Sequence, residues 1–436
     1  MKIVILIGTI FLNFLILGCS DVRNSDKNTN LNSSIKKDET LSKDNNPNID
    51  YDKKINKNFN NIRGYYPTKD EILYKNIIEA NSENFCQKIS DAPPHSRILL
   101  ESGYYKNHCA IKNKSYITIM AKSKYGVKYD GDDFFIELLD KNHHIHILGI
   151  EVSAFEDSFD SGLLNAHGYS NYDNHHIYVS NCWVHNSGAA ILSGPKTHDL
   201  TIERSIFADI KQSYYFYALG WHMVFINNVA YHPENNGVCI RGYMPLNKSW
   251  SYEESKTADV RKFTDIKALP KNEWTHYVAN NFFGEGYGRN ASRSWDRGSA
   301  ISFYLGRDNG DGDDAYLPPQ NVIIENNSFY HITPSIAPNG EVFAGAITID
   351  AEAGFGNFDD TIINGIIKGT IIQNNISDTQ LIKSFWVKPD PKLLSIKDNK
   401  KVDSILLKKR FYEMIDYLKE PKYRFGSFLD KSFNPR

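Results

Sequence analysis

The chain carries no surplus of positive charge: in 436 residues, 50 Lys and Arg stand against 52 Asp and Glu, a formal net charge of -2. Without a cationic field, nucleic acid is excluded as a main partner. A long apolar run is missing too. The longest opens the chain, MKIVILIGTIFLNFLILGC, where one Lys precedes about a dozen apolar residues, the length of an export signal and too short for a comfortable membrane span. Helical periodicity is scarce between the strand-like runs of the body, which excludes βα repeats. What is present is a composition 41% hydrophobic and 13% aromatic, enough for a large core and pointing to a β-rich protein.

The leader ends in Ile16-Leu17-Gly18-Cys19. That tetrapeptide resembles the bacterial lipobox, and the resemblance implies a signal peptide over 1–18 and a diacylated Cys19 as the first mature residue. A signal peptide that happens to contain a Cys is the alternative. By resemblance to the sorting rule of enteric bacteria, Ser20 in place of Asp implies the outer membrane over the inner one. Residues 19–60 are rich in Asn, Lys, Asp and Ser without apolar periodicity, so they read as a disordered tether that holds a folded body some tens of ångströms from the bilayer. The implied location is the bacterial cell envelope.

The body opens with TKDEILYKNIIEANSENF, residues 68–85, where Ile72, Leu73, Ile77 and Ile78 fall at helical spacing behind Thr68 as N-cap. Beyond it the period becomes two. Alternating apolar pairs begin at Ile117, Ile145, Ile177, Leu200, Val224, Tyr277, Val322 and Thr370, with steps of 23 and 24 at the centre. An independent column of glycines, Gly168, Gly194, Gly220 and Gly242, is spaced by 26, 26 and 22. A period near 24 with several short strands per repeat specifies stacked β-coils. Asn181, Asn228, Asn281, Asn326 and Asn374 follow strands, where Asn tolerates a left-handed bend and bonds along the stack. Cys182 aligns with Ser205, Val229 and Phe282 as a small core residue, and Cys239 reads the same way. Cys86 and Cys109 flank the first coil, and export permits a disulfide there. The helical pattern of 402–420 is expected to cover the last coil and its open edge.

A capping helix, then RILLESGYYKNHCAIKNKSYITIMA, then coils with an Asn ladder resembles the right-handed parallel β-helix superfamily of polysaccharide lyases and epimerases, from residue 68 to about 378. The resemblance implies an all-β solenoid over 61–380, right-handed, with an N-terminal capping helix and a C-terminal cap with a helix over 381–436. It also implies a groove for an extended, uronate-bearing polysaccharide.

Cleaving such a polymer by β-elimination requires a cation for the carboxylate, a base for the proton alpha to it and an acid for the leaving oxygen; a C5-epimerase needs nearly the same set. The column one residue before the glycines reads His167, Ser193, Leu219, Arg241 and Leu305. Arg241 is the carboxylate-binding or basic candidate. Lys196, His198 and His222 are the other catalytic candidates, and Tyr243, His167, His232, Arg307 and Trp295 the substrate-binding ones. A surface Arg or His paired to a neighbouring acid is the plain alternative for each. Mannuronan epimerases carry Asp-Pro-His-Asp, from which Tyr231-His232-Pro233-Glu234 departs.

The loop RDNGDGDDAYLPP offers Asp308, Asp311, Asp313 and Asp314 as hard oxygen ligands for Ca²⁺, without the Glu that completes an EF-hand. Insertions at 243–273 and 284–298 bring Trp250, Tyr252 and Trp274, then Tyr287, Arg289, Arg293, Trp295 and Arg297, suited to sugar stacking and carboxylate binding. A glycosidase is disfavoured because stacked outward carboxylates are sparse; Glu203 and Glu325 share a column several coils apart. The expectation is a monomeric, lipid-anchored polysaccharide lyase or epimerase. The alternative is a non-catalytic envelope lipoprotein that binds glycan or aids assembly.

Overall fold

A computed structural model describes residues 63–423, except 69, 73, 155–160, 168–171, 212–213, 233–236, 243–272, 286–298, 306–318, 333–334, 337–341, 344, 352–366, 385–389 and 391. Cys19, the leader and the tether lie outside the described residues, as do Tyr243, Trp295, Arg307 and the four aspartates of the acidic loop.

The strands stack into three parallel sheets of eleven, ten and nine members, visited in rotation, so that each strand pairs with the equivalent strand one coil away. Ile117, Ile145, Ile177 and Leu200 are direct partners, and so are Ile119, Ile147, Val179 and Ile202. No single coil buries its inner row; stacking at roughly 4.8 Å per coil does. With the right-handed crossover that parallel strands adopt, the chain is a right-handed parallel β-helix. Its core forms one cluster from Ala80 to Leu394.

At the corner between the first and second sheets, Asn181, Arg204, Asn227, Asn280, Asn326 and Asn374 all take left-handed backbone, with φ between 50° and 57°. The next residue in each coil points inward. There Cys182, Ser205, Asn228, Asn281, Asn327, Asn375 and Asn399 form a ladder in which each side-chain oxygen after Cys182 accepts the backbone N–H of the preceding member. The single Asn column expected from sequence is therefore two adjacent columns. Asn181, Asn326 and Asn374 make the bend, and Asn228 and Asn281 make the ladder. Cys182 is aligned with Ser205 as expected, while Val229 and Phe282 stand one place later, in the second sheet.

A second correction has the same origin. Leu200 pairs with Met223, not Val224, and Met223 with His276, not Tyr277. Val224 and Tyr277 face outward into a separate apolar cluster with Ile226, Ala279 and Ile323. Where both faces of a strand are covered, alternation no longer distinguishes inside from outside, and a slip of one residue reverses the assignment.

The N-terminal helix expected over 68–85 is not there. Thr68 and Glu71 do exchange the reciprocal bonds of a capping box, at 2.5 and 3.3 Å. One turn follows, and then Asn76–Ala80 pairs as a strand with Ser96–Leu100. Helix α1, Phe85–Asp91, takes the capping role, burying Phe85 and Ile89 in the core, with Cys86 joined by a disulfide to Cys109 of the first third-sheet strand.

Helix α2, Ser404–Lys419, lies on the outer face of the second sheet instead of over the last coil. Leu407, Phe411, Met414, Ile415 and Leu418 pack on Ile206, Val229 and Tyr330. That face is apolar and needed a cover; the helix runs along it. Its C-terminal carbonyls meet the buried ammonium of Lys124, 2.5 Å from Leu418 O and 3.1 Å from Glu420 O, which favours this end of the helix dipole. The outer face of the first sheet is covered as well, by Tyr65, Tyr66, Ile72, Tyr74 and Tyr423 over Met120, Leu148 and Tyr178.

Candidate functional site

The corner where the third sheet turns into the first gathers six of the fourteen histidines in two files. His143, His175, His198 and Trp221 are register partners in consecutive coils. The imidazoles of the first three stack face to face, with centroids 5.1 and 4.7 Å apart and planes within 9°. The spacing is the coil rise: register alone puts each ring on the next. A second file runs beside it. Tyr116, His144, His176, Asp199 and His222 are all left-handed, with φ between 53° and 56°. Tyr116 stacks on His144 at 4.3 Å and His144 on His176 at 4.6 Å.

Carboxylates lock the files together. Asp199 accepts from His198 Nδ1 at 2.7 Å and from His222 Nδ1 at 3.0 Å. The opposite nitrogens face two more acids, His198 Nε2 lying 3.5 Å from Asp173 and His222 Nε2 3.7 Å from Glu273, while the His222 ring stacks on Trp274 at 4.7 Å. Burial works to raise the Asp199 pKa, but the hydrogen bonds from His198 and His222 overcome it and hold the carboxylate well below its usual range. Burial pushes the imidazoles the other way: His175 is lowered to about 4 by burial and by the charges of His198 and His176, and His144 to about 4 by burial and by His176. His146, wholly buried between Tyr65 Oη and Thr118 Oγ1 at 2.9 Å each, is lowered to about 3.

On the outward side of the third sheet, Tyr217 lies between two of the expected residues. The Arg241 guanidinium sits 5.1 Å from its ring centroid, and the His167 ring meets it edge-on at 5.6 Å. Arg241 directly follows the strand Val238–Ile240. Lys196 occupies the turn that leads from Ile191–Ser193 of the third sheet to His198–Glu203 of the first. Of the sequence candidates, Lys196, His198, His222, His167 and Arg241 thus belong to one corner and the strand ends that feed it. His232 does not. It terminates a second-sheet strand on another corner, between Asp209 at 3.1 Å and Glu285 at 3.5 Å, and the hydrogen bond to Asp209 raises its pKa. Ser193 pairs with Ala166 inside the coil, so it leaves the outward column in which sequence spacing had placed it with His167 and Arg241.

Glu203 and Glu325 do share a column, through Ile226 and Ala279, three steps apart. Three steps of roughly 4.8 Å make about 14 Å, beyond the span of a glycosidase pair. Glu203 is moreover buried beside Arg204 and Tyr178, and burial raises its pKa.

Sequence reasoning passed over His143, His144, His175, His176, Asp173 and Asp199. Their signal was a repeated doublet, Asn142-His143-His144 and Asn174-His175-His176, one coil apart.

No protein-family description and no curated protein matches the chain. Among solved structures it is similar to a tailspike protein mutant of E. coli bacteriophage HK620 in complex with a pentasaccharide, at 13% identity over 71% of this chain, with a TM-score of 0.42. The chain spans 49% of the tailspike's length. It is also similar to a mannuronic acid specific family 6 polysaccharide lyase from human gut microbiota, at 10% identity over 79% of this chain and 95% of the other, TM-score 0.32. A Yersinia enterocolitica family 28 exopolygalacturonase stands at 11% identity over 75% and 79%, TM-score 0.34. The likeness is one of fold, the parallel β-helix.

Proposed function

We propose that the chain is an enzyme acting on an acidic, uronate-bearing polysaccharide by proton transfer at C5, as a lyase or an epimerase, at the corner between the third and first sheets. The observation that carries this is the Asp199 carboxylate held between His198 Nδ1 and His222 Nδ1. A carboxylate bonded to Nδ1 fixes the ring and leaves Nε2 as the basic atom, as a proton-transfer imidazole requires. In the step itself, His222 Nε2 would take the C5 proton while the Arg241 guanidinium and the Lys196 ammonium pair with the uronate carboxylate. A lyase would then expel the C4 oxygen with a proton from His198; an epimerase would return a proton to the opposite face of C5. Ca²⁺ at Asp308, Asp311, Asp313 and Asp314, sugar contacts from Tyr243, Arg307 and Trp295, and a lipid anchor at Cys19 in the cell envelope belong to the same proposal.

The test is incubation of the chain with alginate, pectate, hyaluronan and chondroitin while ultraviolet absorbance follows the unsaturated uronate left by β-elimination. A rise with one polymer that His222→Ala and Arg241→Ala each abolish supports a lyase at this corner. A rise that survives both substitutions places the chemistry elsewhere. Retention on a polymer column with no rise and no C5 proton exchange would make the chain a glycan-binding protein.

A further inference from the structure

The geometry points to a transition-metal site on the histidine files: we propose that His176, His198 and Asp199 bind a borderline divalent cation of which Zn²⁺ is the type. One donor atom from each of these three lies within 4.8 Å of the other two, and the same is true of Asp173, His175 and His198, so two overlapping donor sets share His198. In a four-coordinate zinc site with bonds of about 2.0 Å, ligand atoms stand roughly 3.3 Å apart. One contact within the set already has that spacing or less, His198 Nδ1 to Asp199 at 2.7 Å, and beside it His175 Nδ1 lies 2.7 Å from His176 Nδ1. Small side-chain rotations would therefore open the cluster around an ion.

The backbone is fixed for the task. His176 and Asp199 hold the same left-handed φ, 54° and 53°, in neighbouring coils whose strands pair from His175 with His198 to Ser180 with Glu203. His222 holds the other oxygen of Asp199 at 3.0 Å, and His144 stacks on His176 at 4.6 Å, so two ligands are oriented by groups that would not touch the metal. An ion can enter from solvent, because the side chains of Asp199 and Asp173 are 23% and 44% exposed.

Ligand type sets the class. Two imidazoles and one carboxylate suit Zn²⁺ and its neighbours, whereas Ca²⁺ takes six to eight oxygens. Three protein ligands leave one position open, which water or a carboxylate of the substrate would fill. With the metal bound, His198 serves as a ligand in place of the acid role given to it in the lyase step, and His222 remains for proton transfer. Metal binding rests on these side chains alone and holds whether or not the polysaccharide is the substrate.

The experiment titrates the full-length chain, freed of metal by chelator, with Zn²⁺ against a chromophoric competitor, and repeats it with Co²⁺ to read the visible spectrum. Expected are one tight equivalent of Zn²⁺, no displacement by a large excess of Ca²⁺, and an intense four-coordinate Co²⁺ spectrum. Asp199→Asn and His176→Ala, checked for an unchanged circular dichroism spectrum, should each weaken binding at least about tenfold, and His331→Ala, on the exposed far corner, should not. Absence of a tight equivalent, equal affinity in both site variants, or displacement by Ca²⁺ would overturn the proposal. If both variants unfold, the Co²⁺ spectrum of the parent chain decides, and a weak six-coordinate spectrum refutes it.

Discussion

Replacing Asn327 by Ala should be among the most costly single changes in the coils. Its side-chain oxygen accepts from Asn281 N and Asn281 Nδ2, both at 3.0 Å, and its amide donates to Val278 O at 2.9 Å and Asn375 Oδ1 at 3.1 Å. All four bonds lie in the interior. Alanine leaves the Asn281 N–H buried without its partner, at about 1–3 kcal/mol, and forfeits three further bonds at roughly 1 kcal/mol each, so a loss of about 4–6 kcal/mol is expected. The neighbouring Asn326→Ala is the control, because Asn326 contributes a left-handed corner with φ 57° and its replacement carries a conformational cost of about 1 kcal/mol. Asn326→Gly should be close to neutral. Urea unfolding followed by circular dichroism and tryptophan fluorescence measures all three. A loss below about 1 kcal/mol for Asn327→Ala, or a larger one for Asn326→Ala, would refute the assignment of ladder and corner.

Acid should destabilise the fold through His146. Its pKa is lowered to about 3 by burial, so the unfolded chain takes up a proton first; the contribution is whole above the ordinary value of 6.5 and is lost as pH falls from there towards 3. His146→Gln should flatten that part of the stability profile measured by thermal unfolding, and an unchanged slope would contradict the buried neutral imidazole. Towards higher pH the sign reverses for His232, whose pKa the hydrogen bond to Asp209 raises: its stabilisation is complete below the ordinary 6.5, fades as pH rises through the raised value, and should vanish from the profile in His232→Ala. Gly149→Ala should destabilise by a few kcal/mol, roughly the range for strain plus overpacking, because φ is 76° and the new Cβ would lie 2.1 Å from Tyr423 Oη. Pairing it with Tyr423→Phe should relieve only part of the loss, which a double-mutant cycle reads directly.

The winding of the chain was legible wherever one face of a strand is polar. Ile145-His146-Ile147 and Leu200-Thr201-Ile202 alternate cleanly, and the structure pairs them as the spacing requires. Legibility failed where a cover hides the outer face. Val224 and Ile226 are as apolar as Met223 and Phe225, since Gly64 and its neighbours lie against Val224, and the period of two then fits either register. Asn-rich corners failed for a related reason: spacing alone cannot separate a bend from a ladder when Asn227 and Asn228, or Asn326 and Asn327, stand side by side. At the terminus, Ile72, Leu73, Ile77 and Ile78 satisfy a helical period, but pairing with Ser96–Leu100 supplies more than one short isolated helix could. As for the site, spacing brought forward His198 and His222 one by one. Only the parallel register, which stacks His143, His175 and His198 and brings Asp199 between His198 and His222, shows that they lie together.

The most direct test of the central claim is deuterium incorporation at C5. The chain would be incubated in D₂O with each acidic polysaccharide and the sugar examined by NMR and mass spectrometry, since both a lyase and an epimerase must remove that proton. The account predicts C5 exchange or elimination with at least one polymer, lost in His222→Ala. A polymer that binds with its C5 proton untouched, or exchange that persists in His222→Ala, would contradict it.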